Sequence, residues 1–422
     1  MPESLIERRA RLLGPNMPTF YAEPVHIVRG DGVWLWDSDG KRYLDCYNNV
    51  PHVGHCHPRV VEAMAAQAGT LNTHTRYLHE GILDYAERLV GQFSHGLDTV
   101  IMVCTGSEAN DIALRMGQAM TGKTGVISTD NTYHGNTTAV SQLSSKKPPI
   151  GGYARNVRRV PSPDGLRPLG GTVEGQGQVF ADHVAQAIAE LEEEGVGFAS
   201  LILCPFFANE GFPNLPHGFL DPVADVVRRA GGIIIADEVQ PGFGRIGSHW
   251  WGHERIGLVP DVVTLGKPMG NGHPVAAVVA RPEITAAFRE AFGYFNTFGG
   301  NPVSCAVAMA VLDVIEDEGL VENAREVGGY ALDRLRALQH PLIADVRGAG
   351  LFFGVEFAGD GLEPAPEFTS AVIEEMRRRG VLLNKLGRWG NTLKIRPPMP
   401  FSRENADLLV DMLTQALGAV DV

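Results

Sequence analysis

The spacing of apolar residues divides the chain into three stretches. Residues Met1-Pro-Glu-Ser-Leu-Ile-Glu-Arg-Arg9 carry the pattern of a short amphipathic helix. Short alternating runs follow at Val25–Val28, Val33–Trp36 and Arg42–Asp45, separated by Gly30-Asp-Gly32 and Ser38-Asp-Gly40. Asp-Gly between alternating runs signals a hairpin. From about residue 58, helical stretches alternate with short apolar runs, with strands expected at Thr99–Cys104, Gly125–Ser128, Ser200–Leu203, Ile233–Ala236, Val262–Leu265 and Ala276–Ala280. The stretch 141–179 is rich in Ser, Pro and Gly and reads as a long loop. After Asn301-Pro302, helical periodicity extends to about residue 339; Val346–Phe357 has strand character, and helices are expected from there on. This order predicts an α/β fold. A large domain at 58–300 holds a mainly parallel sheet between helices, and residues 1–57 and 301–422 build a small α+β domain. The chain has no internal repeat and no low-complexity tract.

Composition narrows the function. The 422 residues allow two or three cooperating domains. Hydrophobic residues make up 44 %, and no run approaches the ~18 apolar residues of a membrane span. A formal net charge of −13, with no long basic stretch to offset it, argues against a nucleic-acid partner. The start carries acids and no long apolar region, unlike a secretory signal. Five cysteines (46, 56, 104, 204, 305) are odd in number and lack paired spacing. That points to a reducing compartment, by default the cytoplasm.

The chemistry begins at Ile233-Ile-Ile-Ala-Asp237-Glu-Val-Gln240. An apolar, β-branched run ending in acids is the pattern of a buried parallel strand that delivers carboxylates to its carboxyl edge. Thirty residues after Asp237, the run Val262–Leu265 delivers Gly266-Lys267-Pro268 in the same way. A carboxylate and a lysine at such strand ends suit pyridoxal 5′-phosphate (PLP). The lysine amine forms the Schiff base, and the carboxylate keeps the pyridine nitrogen protonated so that the ring accepts electrons. The cofactor's phosphate needs a site as well. Val103-Cys-Thr-Gly106-Ser107-Glu-Ala-Asn-Asp111 supplies a strand end, a Gly-Ser turn and a helix start, whose free N–H groups and dipole hold an anion. An ordinary helix cap reads the same way. Tyr133-His134-Gly135 offers a ring for the cofactor face, a weak signal except beside the others.

Taken together, Gly106-Ser-Glu-Ala-Asn-Asp111, Tyr133-His-Gly135, Asp237-Glu-Val-Gln-Pro-Gly-Phe-Gly-Arg-Ile-Gly247, Gly266-Lys-Pro268 and Thr297-Phe-Gly-Gly-Asn-Pro302 carry a resemblance. Over nearly its whole length the chain resembles the fold-type I, class III aminotransferase family. The resemblance implies that Lys267 is the Schiff-base lysine and Asp237 the pyridinium partner. It assigns the phosphate to Gly106 and Ser107, one ring face to Tyr133 and the other to Val239. Gln240 would lie near the phenolic oxygen, and His134 would join the same cofactor site. Thr297 would reach the phosphate of the neighbouring subunit's cofactor, which implies a homodimer with shared active sites.

Two motifs point elsewhere. Gly242-Phe-Gly-Arg-Ile-Gly247 satisfies the dinucleotide fingerprint G-x-G-x-x-G, but it lies too far from the strand end and lacks a following acidic ribose partner. A nicotinamide dehydrogenase is thereby disfavoured. The cluster His52, His55, Cys56 and His57 resembles a metal site, yet no second cluster lies at zinc-site spacing, so a structural loop and no metal are expected. A non-catalytic PLP-fold regulator would lack the lysine or carry a fused DNA-binding segment. Neither holds.

Substrate recognition separates the branches of the family. Many members carry an arginine three residues before a Pro-Pro pair, where it clamps a substrate carboxylate. Here Lys394-Ile-Arg396-Pro397-Pro398 puts lysine there and arginine two positions on. Alternate residues of a strand face one way, so both cations can serve one pocket. Lysine loses the bidentate fork but remains a good point charge for phosphate; one cation paired with an acid elsewhere is the plainer reading. The Glu-Pro that masks the arginine in some members corresponds to Cys204-Pro205, with Glu210 as a possible substitute at a different spacing. The stretches Cys46–Pro58, Asn72–Glu80 and Phe295–Cys305 resemble the ethanolamine-phosphate and phospho-hydroxylysine phospho-lyases. The resemblance therefore implies a phospho-lyase. It would release phosphate and ammonia from a small β-phosphorylated amine such as O-phosphoethanolamine, through a lysine Schiff base and a quinonoid. Lys394, Arg396 and Arg76 are the candidate phosphate contacts. An ω-aminotransferase is the alternative, kept open by Arg403, where some amine transaminases carry a mobile arginine.

Overall fold

A computed structural model describes residues 3–144 and 148–421; the remainder of the expected N-terminal helix and of the 141–179 loop lies outside the described residues. The helix forms at Leu5–Leu13, where Ser4 and Glu7 cap each other's amides, and none of its residues is buried. Strands β1 (Ile27–Asp31), β2 (Trp34–Asp37) and β3 (Arg42–Asp45) follow, the first starting two residues later than its apolar run suggests.

Strands β4 (Thr99–Val103), β5 (Gly125–Thr129), β6 (Val157–Val160), β7 (Phe198–Leu203), β8 (Ile233–Asp237), β9 (Val262–Leu265) and β10 (Ala276–Ala280) form the large sheet. Their order is β4-β10-β9-β8-β7-β5-β6, and β10 alone runs antiparallel to its neighbours. Every residue of β7 and β8 is buried, as continuous apolar runs covered on both faces require. Alternation sorts them: Leu201, Leu203 and Ile234 pack with Phe180, Val184 and Val227 on one face. Ile202, Ile233 and Ile235 pack with Ile112, Met116 and Phe288 on the other.

The remaining strands are β11 (Ile343–Ala349), β12 (Phe352–Phe357), β13 (Val381–Leu382), β14 (Asn384–Leu386) and β15 (Thr392–Ile395). An antiparallel sheet β11-β12-β15-β14 is one of two small sheets; in the other, β13 pairs in parallel with β3 through Val381↔Leu44, joining N- and C-terminal segments. Two expectations are corrected. The 141–179 stretch contains β6, and β13–β15 lie between the last two long helices, Pro366–Arg378 and Arg403–Leu417. At their carboxyl ends, β5, β7, β8 and β9 deliver the segments holding His134, Cys204, Asp237 and Lys267 to one edge.

Candidate active site

Asp237 ends β8 with its carboxylate buried. His134 Nδ1 lies 2.6 Å from Oδ2, Asn110 Nδ2 donates to the same oxygen at 3.0 Å, and the Val239 amide donates to Oδ1 at 3.0 Å. Asn110 in turn donates to His134 O at 2.7 Å and accepts from Thr264 Oγ1 at 2.6 Å. With Nδ1 against a carboxylate, that nitrogen carries a hydrogen, and Thr132 Oγ1 lies 3.0 Å from Nε2. His134 thus belongs behind the carboxylate, and the ring offered to the cleft is the half-exposed Tyr133. Asn110 escaped the sequence reading, although it stands in the same Gly-Ser-Glu-Ala-Asn motif.

Lys267 follows β9 with a φ of +25°, in the region lysine rarely adopts. Strain of this kind persists where the surroundings over-determine it. Burial, then the Arg396 charge, brings the Lys267 ammonium down from 10.5 to about 8, with Asp237 and Cys204 acting the other way. Around the amine the backbone is crowded. A Cβ on Gly106 would meet Val239 Cγ2 at 3.0 Å, and one on Gly135 would meet Ser107 Oγ at 2.5 Å.

The helix Gly106–Thr121 opens beside this wall. Thr105 and Glu108 form a capping box, which occupies the Glu108 and Thr105 amides. The Gly106 and Ser107 amides precede the first intrahelical bond, so the dipole end and these donors face the cleft that both residues line. Ser107 Oγ accepts from the Asn136 amide at 3.1 Å.

Two cations meet at Gln240, which lines the cleft. Lys394 Nζ donates to Gln240 Oε1 at 3.0 Å and to Asn209 Oδ1 at 3.4 Å. Arg396 Nη1 donates to the same Gln240 oxygen at 2.7 Å, and its Nε donates to Tyr47 O at 3.0 Å. Both cations are buried, and Arg396 forms no carboxylate ion pair among the described residues. Burial holds the Arg396 guanidinium below its ordinary range. Cys204 lines the cleft, its thiol pushed up by burial and so neutral. The Glu210 carboxylate accepts from Thr129 Oγ1 at 2.7 Å and from the Asn209 amide at 3.1 Å. Tyr47 and Asn209, the supports of these cations, were invisible in sequence because each reaches the site across long chain separations.

Three expected residues lie elsewhere. Arg403 is exposed over the Tyr330 ring at 5.2 Å, away from the cleft lining. Arg76 stacks on Phe295 at 3.9 Å and lines a separate surface cavity, and Thr297 is exposed on the same loop as Phe295.

The decoys resolve structurally. A Cβ on Gly247 would meet Arg325 N at 2.5 Å, so that glycine serves close packing. His52 Nε2 bonds Phe243 O at 2.7 Å, His55 pairs with Asp45 at 2.7 Å and His57 with Glu318 at 3.0 Å. Among the described residues no group of three or more potential ligands could hold a metal.

The model of the family described as aminotransferase class-III matches residues 19–417. The chain belongs to that family. Relatives agree along the whole length. A Drosophila melanogaster protein named alanine–glyoxylate aminotransferase 2-like is 42 % identical over 432 residues, covering 98 % of this chain and 87 % of its own. A Caenorhabditis elegans protein named ethanolamine-phosphate phospho-lyase homolog 1 is 37 % identical, with 98 % and 93 % covered. A solved phospholyase from Arthrobacter, in complex with phosphoethanolamine, matches at a TM-score of 0.95 and 43 % identity, covering 99 % of this chain and 100 % of that one. The family cofactor is PLP, and the site fits it. A fixed buried carboxylate, a lysine of lowered pKa and an amide-lined helix start flank one cleft whose glycine walls leave no room for a Cβ.

Proposed function

We propose that the chain is a PLP-dependent phospho-lyase acting on a small β-phosphorylated amine such as O-phosphoethanolamine. The observation that carries this reading is the meeting of Lys394 and Arg396 at Gln240, two cations on one cleft-lining oxygen with no masking glutamate at Cys204. Paired point charges suit a phosphate dianion. The names of the Caenorhabditis and Arthrobacter relatives support the same chemistry.

PLP, when bound, supplies an electron sink conjugated to the substrate amine. Gly106 and Ser107 would hold its phosphate, Tyr133 and Val239 its faces, and Asp237 its ring nitrogen through a charge that His134 and Asn110 keep aimed. Lys267, neutral above pH about 8, would take the proton from the substrate Cα. Lys394 and Arg396 would orient the substrate phosphate and neutralise the charge it gains on leaving Cβ. One water is consumed, and the products are aldehyde, ammonia and inorganic phosphate.

The reading includes a homodimer. Arg76 stacks on Phe295, two residues from Thr297, on a face where Leu78 is 99 % and Phe298 70 % exposed. Thr297 and Arg76 would then serve the neighbouring subunit's site. The five unpaired cysteines favour a reducing compartment such as the cytoplasm.

The test is release of phosphate and ammonia from phosphoethanolamine with no keto acid added. Stoichiometric release over many turnovers supports the lyase. No release, with amino transfer from simple amines to pyruvate, would establish the aminotransferase instead.

A further inference from the structure

The largest of the described cavities, about 680 Å³, is lined in part by Asn136, which follows the cleft-lining Gly135 in the chain. Its inner wall is Tyr47, Asn48 and Asn136; its outer wall is the N-terminal segment, including Arg9 and Phe20. The inner wall is shared with the site's own supports. Tyr47 O holds Arg396, whose guanidinium lies 4.9 Å from the Tyr47 ring centroid, and the Asn136 amide donates to Ser107 Oγ. Phe20 rests edge-on against Tyr47 at 5.0 Å.

One cation lines the outer wall. Arg9 Nη2 donates to Met17 O at 3.1 Å, its Nε is buried with no partner, and Arg9 forms no ion pair among the described residues. Its helical neighbour Arg11, by contrast, is neutralised by Glu3 at 2.6 Å. The carboxylate in the cavity wall is Asp45, already committed to His55 Nε2 at 2.7 Å and to the Tyr47 and Asn48 amides at 3.0 and 2.9 Å.

We infer that this cavity is the vestibule of the enzyme and that Arg9 is a specificity-determining residue, drawing phosphorylated amines in toward Arg396 and Lys394. The inference rests on the phospho-lyase reading. A chain of net charge −13 carries a net repulsion toward an approaching anion. Local cations along a low-dielectric passage offset that repulsion and raise the association rate.

The helix Leu5–Leu13 buries none of its residues, so Arg9→Gln and Arg9→Glu leave the core untouched. Stopped-flow association of phosphoethanolamine with the holoenzyme, followed by cofactor absorbance, tests the role from low salt to about 1 M, where screening acts within ~3 Å. Arg9→Glu should slow association about tenfold at low salt. Arg9→Gln should slow it less, both variants should converge on wild type at high salt, and kcat should not change. Equal association at low salt, or a loss that persists undiminished at high salt, overturns the inference. Wild-type phosphate release is measured in the same series. Release without an Arg9 effect removes the vestibule and leaves the lyase; an Arg9 effect on association without release does the reverse.

Discussion

Lys394 and Arg396, two residues apart on one face of the chain, donate to a single oxygen, Gln240 Oε1, at 3.0 and 2.7 Å. Strand β15 holds Lys394 opposite Gly354 of β12 and Asn384 of β14, and Arg396 follows directly after the strand's last residue, two positions on, where side chains of an extended chain point the same way. The amide oxygen of Gln240 accepts from both cations and carries no formal charge of its own. Lys394 stands at the position where a carboxylate-clamping member of the family has one arginine.

Lys394→Ala should therefore weaken phosphoethanolamine far more than an unphosphorylated amine. A lost charge-assisted hydrogen bond is worth about 1.5–3 kcal/mol, or roughly 10- to 100-fold in KM. Steady-state phosphate release, set beside amine binding followed by cofactor absorbance, makes the comparison. Equal effects on both ligands would assign Lys394 a structural part.

Asp237→Asn should lower kcat at least about 100-fold, on the scale of removing one preorganised electrostatic group. The change keeps the side chain's shape but removes the charge. It also offers His134 Nδ1 a weaker acceptor than the carboxylate it meets at 2.6 Å. Phosphate release by the purified holoenzyme variant measures it, and near-normal turnover would refute the role given to Asp237.

Lys267 predicts a pH dependence of stability in the cofactor-free chain. Its folded pKa is about 8 against an ordinary 10.5. Between these values the unfolded chain binds a proton that the folded chain has released, so unfolding free energy rises with pH across that window. Below about 8 both states are protonated and the penalty of the buried ammonium is felt in full. Lys267→Met should be flatter than wild type from pH 8 to 10.5 in denaturant titrations. Parallel profiles would show that the lysine is not depressed. The same variant should fold and release no phosphate.

What could be read in the sequence follows from distance along the chain. Strands β7, β8 and β9 were legible because continuous apolar runs between turn residues have few other solutions. Asp237 and Lys267 came with them as the residues at strand ends. The strand β6 was hidden because Val157-Arg-Arg-Val160 is short, has two charged residues in its middle and lies at the sheet's edge. The reversed direction of β10 leaves no mark in Ala276–Ala280, whose residues are all buried as in its parallel neighbours. Within the site, contiguous motifs announced Gly106, Ser107 and Gln240. The supports Tyr47 and Asn209 came from separate stretches, 349 and 185 residues from the cations they hold, and no local pattern marks such partners.

His52 is the last case, a histidine that resembles a metal ligand in sequence and serves as a structural acceptor in the fold. Arg245, fully buried, donates to Pro397 O at 2.6 Å, to Leu351 O at 3.0 Å and to His52 Nδ1 at 3.1 Å. The His52 Nε2 hydrogen goes to Phe243 O at 2.7 Å, so the ring is neutral, as burial and the adjacent Arg245 charge require by holding its pKa well below 6.5. Through Pro397, this pair fixes the segment that follows Arg396. His52→Leu would keep the volume but take the His52 partner from Arg245 Nη2 and from the Phe243 carbonyl, while Arg245 Nη1 keeps Leu351 O and Pro397 O. Each orphaned buried group is worth about 1–3 kcal/mol, so stability should fall by roughly 2–6 kcal/mol in denaturant titrations, and KM should rise with it. Zinc or a chelator should leave the wild-type unfolding curve where it is. A metal-dependent midpoint would return His52 and its neighbours to the role of ligands.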